Sequence, residues 1–318
     1  MYREFYGFSE EPFSVRPDPK FLYLSLSHFE TLSSMVTGIQ QRKGILVITG
    51  EAGIGKTILI YALLKDLTEK IRTAFILQTR VDFKNLLKNI LRDLEVPFKE
   101  EEDSIPSLIV KFRKYLEERL TKDETVTIVI DEAQSLDEEV LESLFRLTNS
   151  DSPASKLLQI LLVGHKELEG KLNGENLRPL RSKVGVRCRI RPLTREEGRE
   201  YIKHRLKLVG RDISEVFGPE AINQIWQFAE GIPRIMNLVC DRAFIIGCNA
   251  SKPKIDSKII GEAIKDIGYL RPSKSKTLSP GLSQKKPRHT LFRILFFLFS
   301  LSASIFFLSQ ILNLLLRK

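Results

Sequence analysis

Residues 44–57 read GILVITGEAGIGKT: an apolar run, then Gly50, Glu51, Ala52, Gly53, Ile54, Gly55, Lys56 and Thr57. From Gly50 onward the stretch matches GxxxxGK[ST], a phosphate-binding loop when it lies between a strand and a helix. The run GILVIT supplies the strand, and a helical pattern follows. Glycines let the chain turn tightly enough for successive backbone N–H groups to converge on an anion. The N-terminus of the following helix adds positive potential. The expected nucleotide-binding set is Gly50 through Ile58 with Asp131. Within it, Lys56 bridges the β- and γ-phosphates of ATP, and Thr57 holds Mg²⁺.

A second stretch, TVTIVIDE over residues 125–132, is an apolar strand ending in Asp131 and Glu132. Ligands of open parallel sheets bind at the carboxyl ends of the strands. There Asp131 is expected to join Thr57 in the Mg²⁺ shell, and Glu132 to polarise the attacking water.

Around these two stretches, short apolar runs alternate with helical patterns. Strands are predicted over 45–49, 73–77, 126–130, 158–163 and 184–190, and helices over 56–72, 83–94, 105–120 and 138–149. That alternation predicts an α/β fold with a five-stranded parallel sheet and crossover helices. After Pro192 only helical patterns remain, over 194–209, 219–229, 234–248 and 256–267. The expected organisation is an α/β nucleotide-binding domain over 1–192 and a small helical lid domain over 193–270. A basic linker over 271–290 and a transmembrane helix over 291–316 follow.

The transmembrane expectation rests on residues 294–312, ILFFLFSLSASIFFLSQIL, with no charge, proline or glycine in 19 residues. As a helix they measure about 28 Å, close to a bilayer core of about 30 Å. Lys285, Lys286, Arg288 and Arg293 precede the run, whereas Arg317 and Lys318 alone follow it. The positive-inside rule then places the bulk of the chain in the cytoplasm, with the basic linker against anionic membrane lipid.

The tail also accounts for the charge. The chain of 318 residues carries a formal net charge of +10, but residues 271–318 hold nine Lys and Arg and no Asp or Glu. Residues 1–270 are left with one net positive charge, which argues against a nucleic-acid partner. Three cysteines are too few and too scattered for a disulfide framework and fit a reducing compartment. The four histidines form no zinc-binding spacing. Trp226 is expected in the lid core, and Tyr2, Phe5, Tyr6, Phe8 and Phe13 are expected to pack the N-terminal segment onto the sheet.

Five segments together carry a resemblance. They are FYGFSEEPFSVRPDPKFLYLSLSHFETL over 5–32, the phosphate loop, DEAQSL over 131–136, LLQILLVGHKEL over 157–168 and GIPRIMNLVCDRA over 231–243. Over residues 2–270 the chain resembles the AAA+ ATPases of the ExeA/GspA type, the general secretion pathway A proteins. It also resembles related secretion ATPases beside exopolysaccharide and exosortase loci. The phosphate loop and acidic strand mark only the superfamily, whereas the N-terminal opening is specific to the family.

The resemblance implies a homo-oligomeric, membrane-anchored ATPase acting with secretion or envelope-export membrane proteins. It puts Ser27 and His28 near the adenine and makes Arg234 the lid arginine that reaches the γ-phosphate. His165 falls where the family usually carries the glutamine of sensor 1. Lys183, with Arg181 nearby, falls where a neighbouring subunit's arginine finger is expected. A lysine there supplies charge without a planar fork. Family members carry a wall-binding part beyond the membrane helix; with only Arg317 and Lys318 after the apolar run, no such role is expected. Two alternative functions stay open: a DNA-transaction ATPase of the transposition type, and a nucleotide-dependent scaffold with little turnover.

Overall fold

The computed structural model describes residues 2–268 except 78, 101–103, 149–152, 176, 178–180 and 182. The expected linker and transmembrane helix lie outside the described residues. Among the described residues, no helix is long and apolar enough to cross a membrane.

The apolar runs fold as strands β1 (Ile45–Gly50), β2 (Ile71–Ile76), β3 (Thr125–Ile130), β4 (Leu158–Gly164) and β5 (Val184–Ile190). They form one five-stranded sheet in the order β2-β3-β4-β1-β5, every pair parallel. β1, β3 and β4 are buried along their whole length, as strands covered on both faces must be. Because β1 and β3 both pair with β4, their carboxyl ends open on one edge, and the phosphate loop and the acidic pair emerge there together.

One face of the sheet is covered by α4 (Phe83–Asp93), α5 (Ile105–Leu120) and α6 (Glu138–Leu147). The other is covered by α2 (Leu26–Gln40) and α3 (Lys56–Asp66). Local chemistry starts these helices where the chain does. The side chains of Ser25, Asp82 and Ser104 accept hydrogen bonds from first-turn N–H groups of α2, α4 and α5.

The sequence places α3 and β2 differently from the structure. Helix was expected to run to residue 72, but α3 stops at Asp66 and β2 begins at Ile71. β2 is an edge strand, so Ile71, Arg72 and Thr73 lie against water on one side. The first half of the strand therefore lacks the continuous apolar signature of a central strand.

The lid consists of α8 (Arg195–Leu208), α9 (Ile213–Val216), α10 (Pro219–Ala229), α11 (Pro233–Asn249) and α12 (Ser257–Gly268), preceded by α1 (Tyr2–Tyr6) and α7 (Lys166–Leu172) earlier in the chain. A capping box between Thr194 and Glu197 starts α8, and prolines occupy the first turns of α10 and α11. Trp226 is half-buried rather than fully enclosed; its indole N–H donates to Leu193 O at 2.9 Å and its ring covers Gly198.

The N-terminal aromatics correct another expectation. Tyr2, Tyr6, Phe8 and Phe13 pack on Phe244 of α11, with ring centroids 5.0–5.8 Å away, in the lid core and not on the sheet. Phe5 remains largely exposed. The sheet faces are already covered by α2 to α6, whereas the short lid helices need added apolar area to close a core.

Candidate nucleotide-binding site

The chain leaves β1 at Gly50, turns through the loop and enters α3 at Lys56. Gly55, at φ 109, occupies the cap position of α3 and offers no side chain to its first-turn N–H groups. A residue with a Cβ is strained there. The N–H groups left without an intrahelical partner are the anion-binding feature of the loop. Lys56 is 5% exposed, and its ammonium group donates to Gly50 O and Glu51 O, both at 3.1 Å. Burial lowers its pKa, opposed chiefly by the negative charges of Glu132 and Asp131.

Asp131 follows β3 and is buried. Its Oδ2 accepts from the Thr57 hydroxyl at 2.6 Å, and its Oδ1 accepts from Glu132 N at 2.9 Å. Burial raises its pKa, and the Thr57 bond works against that rise. A hydroxyl oxygen and a carboxylate oxygen held side by side are hard donors of the kind Mg²⁺ prefers, so the pair fits that ion. An added divalent charge here would offset the cost of keeping Asp131 ionised.

Glu132 sits in the left-handed region at φ 53, and its half-exposed side chain lines the open side of the site. Gln134 donates from Nε2 to Glu132 Oε2 at 2.5 Å and accepts from His165 N at 3.0 Å. His165 Nε2 lies 3.5 Å from the same Glu132 oxygen. The residue at the exit of β4 and the carboxylate at the exit of β3 are thus one cluster, bridged by a glutamine that the sequence reading passed over. Its signal was available: it lies two residues beyond Glu132 on a short turn, Ala133–Ser135, before α6.

Arg234 begins the second position of α11 directly over the loop, its backbone N–H donating to Gly53 O at 3.2 Å. A Cβ on Gly53 would stand 2.6 Å from Arg234 Cβ, so glycine is what admits the lid helix to the phosphate loop. Beside them lies a cavity of about 190 Å³. One end is formed by loop residues 53–58 with Glu132 and Arg234, and the other by residues 14–18 and 21–23 with Tyr201, Arg205 and Asn237.

His28 links the two ends. Its Nε2 lies 2.9 Å from Ile54 O and its Nδ1 lies 2.7 Å from Ser25 Oγ. A carbonyl only accepts, so Nε2 carries the proton and Nδ1 accepts from the serine hydroxyl. Burial lowers the His28 pKa, in keeping with this neutral tautomer. Ser27 instead accepts from Arg191 N at 3.0 Å and does not line the cavity.

Lys56, Thr57, Asp131, Glu132, His165 and Arg234 therefore converge, with Gly50 to Ile58 wrapped beneath them. Lys183 does not join them. It precedes β5 and its carbonyl lies beside Gly44, at the start of β1, the opposite end of the sheet. A six-residue strand separates the two ends by about 20 Å. Sequence reasoning missed the second end of the cavity, Tyr201, Arg205 and Asn237 included, because those residues meet only through the fold.

Residues 39–172 match the family described as AAA domain. Over 271 residues the chain is 34% identical to general secretion pathway protein A of Aeromonas hydrophila, covering 85% of this chain and 49% of that protein. It thus spans about half the length of that relative. Among solved structures it is similar to the ORC2 protein of Aeropyrum pernix, determined as ADPNP-ADP complexes. That protein is 16% identical with a TM-score of 0.62, covering 81% of this chain and 73% of the other. The ORC1 protein of Aeropyrum pernix in complex with DNA is also 16% identical, with a TM-score of 0.58, covering 81% and 69%. At such identities the likeness is one of fold.

Proposed function

We propose that the chain, which matches the AAA domain over residues 39–172 and over 85% of its own length is 34% identical to general secretion pathway protein A, is an AAA+ P-loop ATPase that binds and hydrolyses Mg·ATP. The observation that carries this reading is the convergence of Lys56, Thr57, Asp131 and Glu132 at the carboxyl ends of β1 and β3. The loop N–H groups and Lys56 bind the phosphates. Thr57 and Asp131 would hold Mg²⁺, which would supply charge neutralisation to the phosphates when bound. Glu132 takes a proton from the attacking water and is oriented by Gln134, while the His165 imidazole stands by to position that water. Arg234 reaches the γ-phosphate from the lid, with its fork suited to phosphate oxygens.

Lys183 serves in trans. From the far end of the sheet it cannot reach its own loop, so its use requires a neighbouring copy of the chain in a homo-oligomer. Loss of the γ-phosphate then releases contacts from the lid and from the neighbour, and the change drives or regulates assembly of a secretion or cell-envelope export system. Residues 291–316 anchor the chain as a single pass in the bacterial inner membrane with its bulk in the cytoplasm. This rests on the uncharged apolar run and its basic flank. The DNA-bound likeness does not favour a nucleic-acid role, since residues 1–270 carry almost no net charge.

Phosphate release by the full chain and by Glu132→Gln, with Mg·ATP affinity measured in parallel, tests the reading. Hydrolysis should fall by about 10²–10⁴-fold with affinity retained. Equal rates would remove Glu132 from catalysis and leave a protein that binds nucleotide without turning it over.

A further inference from the structure

Between α1 and α2 the chain runs from residue 7 to 25 with no strand pairing and a single turn of 3-10 helix, Pro19–Phe21. Backbone polar groups in such a segment need partners from elsewhere. Here they come from α8 of the lid. Arg205, 5% exposed, donates from Nε to Pro12 O and from its outer nitrogens to Tyr201 Oη at 2.8 Å and Ser14 O at 3.4 Å. Its guanidinium lies over the ring of Phe21, 4.6 Å from the centroid. One helix end away, Glu197 Oε1 accepts from Leu26 N at 3.2 Å. Tyr201 completes the set by donating to Asn237 Oδ1 at 2.7 Å on α11.

The same segment forms the cavity wall opposite the phosphate loop. If phosphates occupy the loop, the remaining space beside residues 14–18 and 21–23 is where a nucleoside lies. We infer that Arg205 is a positioning residue that fastens this strap to the lid, so that the wall facing the nucleotide base belongs mechanically to the lid and not to the sheet. The inference rests on the reading of the cavity as an ATP site and adds how the base is held.

A buried arginine is costly unless its donors are satisfied, and here carbonyls from residues 12 and 14, a hydroxyl and an aromatic face satisfy them. Only a fork reaches all of these at once. His28, on α2 just past the strap, carries the described hydrogen bond from this part of the chain to the phosphate loop, and its other ring nitrogen accepts from Ser25 at the strap's end. Closure of the lid on the phosphates through Arg234 therefore carries the base wall with it. Base recognition and γ-phosphate sensing become one motion.

The full chain, its Arg205→Lys variant and its Tyr201→Phe variant are to be titrated with Mg·ATP and with Mg·tripolyphosphate, which has no base. In Arg205→Lys the dissociation constant for ATP should rise about tenfold or more while that for tripolyphosphate changes less than about twofold. Tyr201→Phe, which removes a hydroxyl without altering volume, should shift the same ratio by about two- to fivefold. Hydrogen exchange adds a second readout: strap and α8 amides slow together on ATP binding in the wild-type chain, and in Arg205→Lys the strap no longer follows.

A merely structural role moves the melting temperature and leaves the ratio of the two affinities alone. The inference is overturned if both ligands weaken alike, if neither does, or if the strap gains protection with β1 and not with α8. Should the wild-type chain bind neither ligand, the ATPase reading fails and the inference goes with it.

Discussion

The two ends of the nucleotide cavity are built in opposite ways. The phosphate end is continuous chain: β1, the five loop residues 51–55 and the first turn of α3, faced by Asp131 and Glu132, the two residues that follow β3. Its recognition groups are backbone N–H groups, one lysine and hard oxygens, all held by a sheet that is buried on both faces. The base end is discontinuous. It joins residues 14–23 to Tyr201 and Arg205 on α8 and Asn237 on α11, and its wall is irregular chain held by lid side chains. A rigid end for phosphate and a lid-borne end for the base mean that stability and binding respond differently to substitutions at the two ends.

The largest effect that separates them is expected at Phe244. Its ring is fully buried and touches Tyr2, Tyr6, Phe8, Phe13 and Phe217. Phe244→Ala should cost about 3–5 kcal/mol, as large-to-small changes in tight aromatic cores do. Hydrogen exchange should show the loss in the strap, α8 and α11 while β1 and β3 amides stay protected. Equal loss of protection in the sheet would break the division into two mechanical units.

Lys56→Ala works at the other end and is expected to be smaller. Removing a charge-assisted donor to phosphate costs about 1.5–3 kcal/mol, or roughly ten- to a hundredfold in affinity. ATP and tripolyphosphate should weaken equally in calorimetric titrations, the reverse of the pattern expected for Arg205→Lys. A loss confined to ATP would mean that Lys56 acts on the nucleoside and would erase the contrast.

The contrast also explains what was legible in the sequence. Gly50 to Thr57 and Asp131 with Glu132 could be read because their spacing is local: one strand, one turn and one helix start carry the geometry. The central strands β1, β3 and β4 were equally plain, since burial on both faces leaves an unbroken apolar run. Edge strand β2 was misplaced because only one of its sides is covered. The N-terminal aromatics were assigned to the sheet because composition marks a residue as buried without naming its partner. Nothing local in the sequence marks Arg205. Only the fold brings Pro12, Ser14 and Phe21 around it, across about 190 residues of chain.

The smallest effect tests the hydrogen bond that joins His28, on α2 beside the strap's end, to the loop. His28 donates to Ile54 O as a neutral imidazole, and burial holds its pKa below the ordinary 6.5. The unfolded chain therefore binds the His28 proton more readily than the folded one. Stability from this group is present above about pH 6.5 and is lost as the pH falls through the lowered native value. His28→Gln keeps an N–H donor but no titration, and at pH 8 it should be less stable by about 0.5–1.5 kcal/mol. His204, whose pKa burial also lowers, is common to both proteins and cancels in the comparison. Thermal melts from pH 8 to pH 5 should show the gap between the wild-type chain and His28→Gln narrowing on acidification. At about 2–4 °C per kcal/mol for a domain of this size the change is measurable. A gap independent of pH would mean that folding leaves the His28 pKa unshifted, and the joint between the two ends would have to be sought in Arg234 and Gly53 alone.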